Sequence, residues 1–280
     1  MTTTSPVVRR RRLGLELRAL REAAGLKGDE AAKRLKWSNS KVSRIELGRS
    51  PVTAPDVTKL LDLYGVRDQA QREELAKLTR EAKRKGWWQL YSDIPYSTYI
   101  GLEAEAATSL TYQHVVPGLF QTEEYAEAIN RATISGVSDD GMEQRLEVRM
   151  QRQGILTKAE PIEVRAVLDE AAVRRMVGGP EVMGKQLARL IELSELTNII
   201  IQVIPFSAGA HPGTLVGPFV ILQYVHPADP DVVYVEGNSD PYPDREGDAQ
   251  RYGLIFDNLR ASALSVEQTR SLMKKLVAEL

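Results

Sequence analysis

The 280-residue sequence contains no cysteine, only three histidines and no long apolar run. Without cysteine there is no disulfide framework, no thiolate metal site and no cysteine nucleophile, which suits a reducing compartment. No stretch approaches the roughly 20 apolar residues of a membrane span, and the basic start lacks the apolar segment of a secretion signal. We therefore expect a cytoplasmic, nucleoid-associated protein with no membrane partner.

The small net charge of −1 conceals two oppositely charged parts. Residues 1–86 carry 21 Lys and Arg against 11 Asp and Glu, which gives a net charge of +10. Residues 87–280 carry 16 against 27, which gives −11. Because a positive field attracts nucleic acid or anionic lipid, this asymmetry indicates that the first part meets a polyanion. Drift in composition is the alternative explanation.

The first part is predicted to be all-α, because its apolar residues recur at helical spacing and its breaks fall at turn residues. Gly25 is a helix C-terminal signal, Ser38 can cap the third helix, and Thr53 opens the fourth with a cap. The five predicted ranges are about 13–24, 28–35, 39–47, 53–64 and 68–84.

The third helix has one apolar and one polar side. Val42 and Ile45 point one way, while Ser40, Ser43 and Arg44 point the other. Short polar and cationic side chains suit a helix that enters a major groove. An ordinary solvated surface helix is the alternative that periodicity alone leaves open.

The run SKVSRIELGR, together with the surrounding residues 13–66, resembles the five-helix helix-turn-helix domain of the lambda and XRE repressor family. The resemblance implies that the third helix reads DNA, with base contacts from Asn39, Ser40, Ser43 and Arg44. It implies phosphate contacts from Lys27, Gly28, Lys36, Ser38, Lys41 and Arg49. Arg21 and Glu46 match a family ion pair that positions the reading helix. Lys27-Gly28 departs from the Gln that is frequent there in the family, so that contact is expected to be weaker.

These features predict three segments: a basic arm over 1–12, a helix-turn-helix domain over 13–85, and a C-terminal domain over 86–280. The arginines at positions 9–12 either enter a minor groove or follow phosphates, or else form a solvated tail. One half-site is usually too weak alone, so we expect a homodimer on an inverted repeat of double-stranded DNA, with reading helices roughly 34 Å apart.

The C-terminal part is predicted to be α+β, with a small sheet. Residues 101–129 read as a helix, a turn at Pro117-Gly118 and a second helix capped near Thr122. Alternating apolar residues predict strands, and longer periodic segments predict helices. The predicted strands are 162–168, 199–206, 217–225 and 231–237, and the further helices are about 138–156, 181–195, 248–263 and 266–280.

In this part, VPGLFQTEEYA, VLDEAAVRRMVGGPEVMGKQL, VIPFSAGAHPG and VYVEG resemble the C-terminal domain of actinomycete WhiJ-like, antitoxin-like XRE regulators. The chemical role of that domain is poorly defined in the family. Many members are paired with a small protein encoded alongside. The resemblance therefore implies a small protein partner or a small-molecule effector.

No convincing catalytic or metal constellation is found in the C-terminal part. Ser207, His211 and Glu236 could be imagined as a triad, but no GxSxG elbow is present, and the histidines lack metal-ligand spacing. We expect no enzyme activity, no metal and no cofactor. Residues that could line a ligand or partner site are Pro117, Gln121, Asp169, Glu170 and His211.

The sequence thus predicts a dimeric, sequence-specific transcriptional regulator whose C-terminal domain senses a ligand or a small protein. The alternative is an antitoxin-like protein that sequesters a small partner and autoregulates. An enzyme with a DNA-targeting module is a third reading.

Overall fold

The computed structural model describes residues 5–91, 96–235 and 247–280. The backbone forms two units. The first comprises the chain up to Leu90 together with Ile100–Glu105 and His226–Asp229. The second comprises Tyr91–Tyr99, Ala106–Val225 and Pro230–Leu280.

The first unit is built on five α-helices: α1 (Pro6–Ala23), α2 (Gly28–Leu35), α3 (Asn39–Glu46), α4 (Ala54–Leu63) and α5 (Gln69–Glu81). Side-chain oxygens of Ser38, Thr53 and Asp68 accept backbone N–H bonds at the starts of α3, α4 and α5. Such caps satisfy donors that have no partner within the helix. These local signals fix where the helices begin.

The helices enclose one apolar core. Its members come from the stripes that the sequence shows at helical spacing, and they include Leu13, Leu17, Ile45, Val57, Leu60, Leu61, Leu75 and Leu78. Gly14 lets α1 approach the end of α3, because a Cβ at this position would lie 2.5 Å from the Glu46 carbonyl oxygen. The apolar side of α3 therefore packs against α1, and the polar side of α3 faces outward.

The remaining elements alternate between helices and strands. They are α6 (Ser97–Glu103), β1 (Thr108–Gln113), α7 (Glu123–Thr133), α8 (Asp139–Arg152), β2 (Glu163–Asp169), α9 (Glu170–Arg174), α10 (Pro180–Leu193), β3 (Ile199–Ile204), α11 (Gly213–Val216), β4 (Phe219–Gln223), β5 (Val232–Val235), α12 (Asp248–Ser262) and α13 (Val266–Glu279).

The described strands form a five-stranded mixed sheet in the order β3-β2-β1-β4-β5. The three strands β1, β2 and β3 are parallel, whereas β4 runs antiparallel to β1 and to β5. One face of the sheet packs Tyr112, Val167 and Phe219 against Tyr252 and Phe256 of α12. The predicted fold class, an all-α helix-turn-helix domain followed by an α+β domain, is confirmed.

Two predicted elements are wrong. The helix expected over the residues before Pro117 is α6 followed by the central strand β1, because Thr108–Gln113 pairs with both β2 and β4. The arm expected over 1–12 is helical from Pro6 onward, because Val7 and Val8 are buried.

Candidate nucleic-acid interface

Helix α3 presents a polar surface. Val42 and Ile45 are 2% and 4% exposed and attach the helix to its unit. The four side chains predicted to read bases, Asn39, Ser40, Ser43 and Arg44, are all exposed. The structure thus brings them together on one outward surface, which carries short hydrogen-bonding groups and one guanidinium.

The start of α3 is held by its own side chains. The Ser38 hydroxyl accepts a bond from the Lys41 backbone N–H at 3.2 Å, and the Ser38 and Ser40 hydroxyls lie 3.0 Å apart. The Arg44 Nε donates to the Ser40 carbonyl at 3.2 Å. A guanidinium has five N–H donors, and this bond uses one of them. Arg44 therefore lies along the exposed surface of α3.

The residues predicted to hold phosphates fall into two groups. Lys27, Lys36, Ser38 and Arg49 are exposed, and Gly28 is half-buried. Lys41 differs, because its Nζ lies 3.0 Å from the Asp56 carboxylate and 3.7 Å from the centre of the Trp37 ring. Lys41 is therefore held against its own unit by an ion pair and a cation–π contact.

The start of α2, predicted to bind an anion through backbone amides, carries acidic residues of its own. Asp29 and Glu30 lie in the first turn. The Glu30 carboxylate accepts the Lys27 N–H at 2.8 Å, which uses one of the amides that an anion would need. The phosphate contact predicted at this helix start therefore depends chiefly on the Lys27 ammonium.

A buried ion pair fixes α3 to α1. Arg21 Nε and Nη2 donate to the two carboxylate oxygens of Glu46 at 2.7 and 2.9 Å, and Arg21 Nη1 donates to the Leu26 carbonyl at 2.7 Å. Both side chains are 9% exposed. The hydrogen bond to Glu46 raises the pKa of Arg21. A bidentate pair constrains orientation as well as distance, so it sets how α3 is presented.

The arginine run expected to contact DNA is instead engaged within the first unit. Arg9 pairs with Glu105, Arg10 Nε donates to the Gly48 carbonyl at 2.8 Å, and Arg12 Nε donates to Asp229 at 2.7 Å. Arg11 is 6% exposed. The expectation of an arm in the minor groove, or of a solvated tail, is wrong for residues 9–12. The physical reason is that α1 carries Arg9 and Arg12 to carboxylates, and Arg10 to a backbone carbonyl, that are supplied by distant parts of the chain.

In the second unit, three of the predicted ligand-site residues lie near one another. His211 Nε2 is 3.9 Å from Asp169 Oδ2, and Asp169 Oδ1 caps α9 by accepting the Ala171 N–H at 2.8 Å. Glu170, the next residue, accepts the Phe206 N–H at 2.5 Å. The carboxyl end of β2 and the loop after β3 therefore meet at these residues.

Gln121 belongs to a different group. It is buried, donates to the Val116 carbonyl at 2.7 Å and accepts from Arg149 Nη1 at 2.6 Å. Pro117 precedes the single 3₁₀ turn between these contacts. This group supports an irregular segment, so the five predicted ligand-site residues do not form one set.

Sequence reasoning missed Tyr112 and treated His114 and His211 as unrelated. The Tyr112 hydroxyl lies 3.0 Å from His114 Nε2, and the Tyr112 ring centre lies 5.1 Å from that of His114 and 6.0 Å from that of His211. Burial, with the nearby Asp169 carboxylate, raises the pKa of Tyr112 to about 12. Tyr112 and His114 are two residues apart at the end of a strand, a spacing that would have indicated that they lie on the same face of the sheet.

The remaining sequence interpretations concern a catalytic triad, a metal site and a membrane span. Glu236, the third member of the imagined triad, lies outside the described residues. Within the described ranges, no group of three or more His, Cys, Asp or Glu side chains is arranged to hold a metal ion. No helix in the same ranges has the length and apolar character of a membrane span.

Comparison with known families places both parts of the chain. A model described as a helix-turn-helix domain matches residues 12–75, which indicates a DNA-binding regulator. A model described as a domain of unknown function (DUF5753) matches residues 96–275. No curated protein and no solved structure matches the chain. Because the second match covers more than half of the sequence, the chain belongs to the family defined by the domain of unknown function DUF5753, here joined to a helix-turn-helix domain.

Proposed function

We propose that the protein is a sequence-specific transcriptional regulator that binds an inverted-repeat operator as a homodimer. The observation that carries this proposal is the exposed polar surface of α3, held in place by the buried Arg21–Glu46 pair. Readout needs side chains that reach base edges and a helix whose orientation is fixed, and these two features supply both.

Electrostatics supports the same function. Exposed Lys27, Lys36 and Arg49 offer about three phosphate contacts per subunit, or about 6 per dimer. Counterion release then gives a slope of roughly −5 for the logarithm of affinity against the logarithm of salt concentration. Arg9 to Arg12 are not counted, because their side chains are buried or half-buried.

The test is genome-wide mapping of the DNA sites bound by the full chain, followed by affinity measurements on the recovered operator and on scrambled DNA across a salt series. A recurrent inverted repeat and a steep salt dependence are expected. Binding without sequence preference, or affinity that ignores salt, would overturn the proposal.

The C-terminal domain is proposed to sense a signal, as the resemblance to WhiJ-like regulators implies. A signal acts on DNA binding only if it favours one arrangement of the two reading helices, since an equilibrium shifts by the difference in affinity for two states. The homodimer and the sensing role of the C-terminal domain both belong to the proposed regulatory function.

Sequestration of a small partner protein is the second candidate function. It is supported by apolar side chains that the second unit exposes after β3: Phe206 is 60% exposed and Leu215 is 94% exposed. A pull-down from the native host with the wild-type chain and with a Phe206→Ser/Leu215→Ser variant distinguishes the two. A stoichiometric small protein lost with the variant favours sequestration, whereas its absence from both disfavours it.

A further inference from the structure

The end of α5 and the turn after it carry a second group of cations in the first unit. Residues 77–85 contain one acid and five basic residues, all five of them exposed, and these five form the α5 cluster: Lys77, Arg80, Lys83, Arg84 and Lys85. Helix α5 packs against α1 and α4, whereas α3 packs against α1 and α2. The α5 cluster therefore lies on a helix whose neighbours differ from those of α3.

The charges of the α5 cluster are not neutralised by nearby acids. Within residues 5–91, 96–235 and 247–280, none of the five side chains forms an ion pair or a side-chain hydrogen bond. The one acid in the segment, Glu81, lies 3.5 Å from Arg9 of α1. Lys77 and Arg80 are three positions apart on the helix and the other three cations are consecutive, so like charges repel one another. An anionic partner would relieve this repulsion.

The helix end accounts for only part of this charge. Cations in the last turn of a helix are stabilised by its backbone carbonyls, and the effect falls off beyond that turn. Arg80 lies in the last turn of α5, which ends at Glu81. Lys83, Arg84 and Lys85 follow the helix, in a turn where the Lys83 N–H donates to the Arg80 carbonyl at 3.3 Å. These three cations therefore need another explanation.

The surroundings of the α5 cluster favour a polyanion that is bound by charge alone. Protein interfaces have an apolar centre, but the apolar residues within 77–85, Leu78 and Ala82, are each only 7% exposed. Single-stranded nucleic acid is bound by stacking on exposed rings, but Trp88 is 4% exposed and Trp87 is half-buried against it. The phosphate backbone of duplex DNA requires neither apolar nor aromatic groups.

We propose that the α5 cluster binds the phosphate backbone of double-stranded DNA, as a contact that ignores base sequence and adds to the contacts of the α3 surface. The helix-turn-helix match already indicates that this unit meets DNA, so the cluster needs no additional ligand. Long cationic side chains on an exposed turn can follow phosphates without a fixed hydrogen-bond geometry. The inference deepens the proposed function, and the part that this contact has in regulation rests on that function.

The salt dependence of DNA affinity tests the α5 cluster in the full chain. Neutralising the three cations of the turn, in Lys83→Gln/Arg84→Gln/Lys85→Gln, should lower the magnitude of the slope of log affinity against log salt by about 3 for each chain bound. Affinity at about 0.1 M salt should fall tenfold or more, by the same factor for operator and for scrambled DNA. A wild-type slope in this variant overturns the proposal.

Matched variants separate a local contact from a general loss of charge. The control neutralises three exposed cations of the second unit: Arg175→Gln/Lys274→Gln/Lys275→Gln. It should keep the wild-type slope, and an equal fall in the control would overturn the proposal. Exchanging lysine and arginine at positions 83–85 keeps the charge and should keep the slope. Denaturant unfolding without DNA should show that the neutral variant of the turn is at least as stable as wild type, because repulsion is relieved.

Two further measurements distinguish the remaining explanations. If the neutral variant of the turn loses self-association in low-salt sedimentation but keeps the wild-type DNA slope, the α5 cluster binds protein and the proposal is overturned. Scrambled DNA tests the cluster even where no operator is found. A slope lowered by the variant, with no sequence preference in the wild type, refutes the proposed function and leaves the phosphate contact intact. Operator recognition with an unchanged slope does the reverse.

Discussion

The two units bury polar groups in different ways. The first buries complete ion pairs, as in Arg21–Glu46 between α1 and α3 and in Arg12–Asp229 between α1 and the segment His226–Asp229. The second buries amides, as in Gln121 and Gln186, whose side chains bond to backbone atoms. Helices satisfy their own backbones, so their polar side chains are available to one another. An irregular segment such as 116–122 needs side chains to satisfy its carbonyls and amides.

The largest expected effect comes from breaking the ion pair in the first unit. Arg21→Ala leaves the Glu46 carboxylate buried without its partner and should lower the free energy of unfolding by about 3 to 5 kcal/mol. Denaturant unfolding of the full chain measures it. The double variant Arg21→Met/Glu46→Leu should be less destabilised than Arg21→Ala alone. A loss below about 1 kcal/mol for Arg21→Ala would show that the pair is not what holds α3.

Alkaline pH compares the two units directly, because each contains one tyrosine whose burial raises its pKa to about 12: Tyr64 in the first and Tyr112 in the second. Their contribution to stability is complete below pH 10, the unfolded pKa, and is lost as pH rises from 10 to 12. At pH 11, one unit above the unfolded pKa, each tyrosine has lost on the order of 1 kcal/mol of its contribution to the free energy of unfolding. The free energy of unfolding, measured at pH 9 and pH 11, should fall less for Tyr64→Phe and for Tyr112→Phe than for wild type. Equal falls in the variants and the wild type would contradict the raised pKa of these tyrosines.

Removing a buried amide tests the second unit. Gln186 is fully buried, donates to the Phe120 carbonyl at 2.8 Å and accepts the Thr122 N–H at 2.8 Å. Gln186→Leu leaves both backbone groups unpaired and should destabilise the protein by about 2 to 3 kcal/mol in denaturant unfolding. Gln186→Glu, which retains the acceptor for Thr122, is expected to differ from Leu mainly in its pH dependence. If Gln186→Leu left the free energy of unfolding unchanged, the Phe120 carbonyl and the Thr122 N–H would have to find other hydrogen-bond partners.

The α3 surface is tested by two arginines with different roles. Arg44→Ala should remove sequence preference, at about 1 to 3 kcal/mol per lost base contact, whereas Arg49→Ala should weaken binding to all DNA about equally. Affinities for operator and scrambled DNA separate the two. If Arg49→Ala changed preference and Arg44→Ala did not, the assignment of the two residues would have to be exchanged.

The smallest effect is expected at an exposed ion pair. Arg18 and Glu22 lie 2.9 Å apart on α1, but their side chains are 53% and 54% exposed. Arg18→Ala should change the unfolding free energy by less than about 0.5 kcal/mol, because solvent screens the pair. It therefore serves as the matched basic control for Arg21→Ala and for the DNA measurements.

Local signals made the first unit largely predictable. Ser38 and Thr53 mark the starts of two helices, and the positions of Val42 and Ile45 define which side of α3 is buried. Each of these inferences uses residues within a few positions of one another.

Non-local pairing explains what the sequence did not reveal. β1 is a strand because 163–168 and 219–223 flank it, whereas the alanines and glutamates just before it suggest a helix. Arg12 reads as part of a basic arm because its partner, Asp229, lies 217 residues away. Tyr112 and His211 meet only once β1 and the loop after β3 are placed. A short stretch of sequence does not reveal these pairings, because the partners are far apart along the chain.

The engagement of Arg9 and Arg12 with Glu105 and Asp229 bears on how the protein is made. The core of α1 to α5 draws on residues up to Leu78, all of which leave the ribosome early. Asp229 is synthesised much later, and only then does Arg12 gain its carboxylate. A nascent chain can thus hold the apolar core of α1 to α5 while Arg12 still lacks its carboxylate. The first unit therefore gains the Arg12–Asp229 pair only after most of the C-terminal domain has been translated.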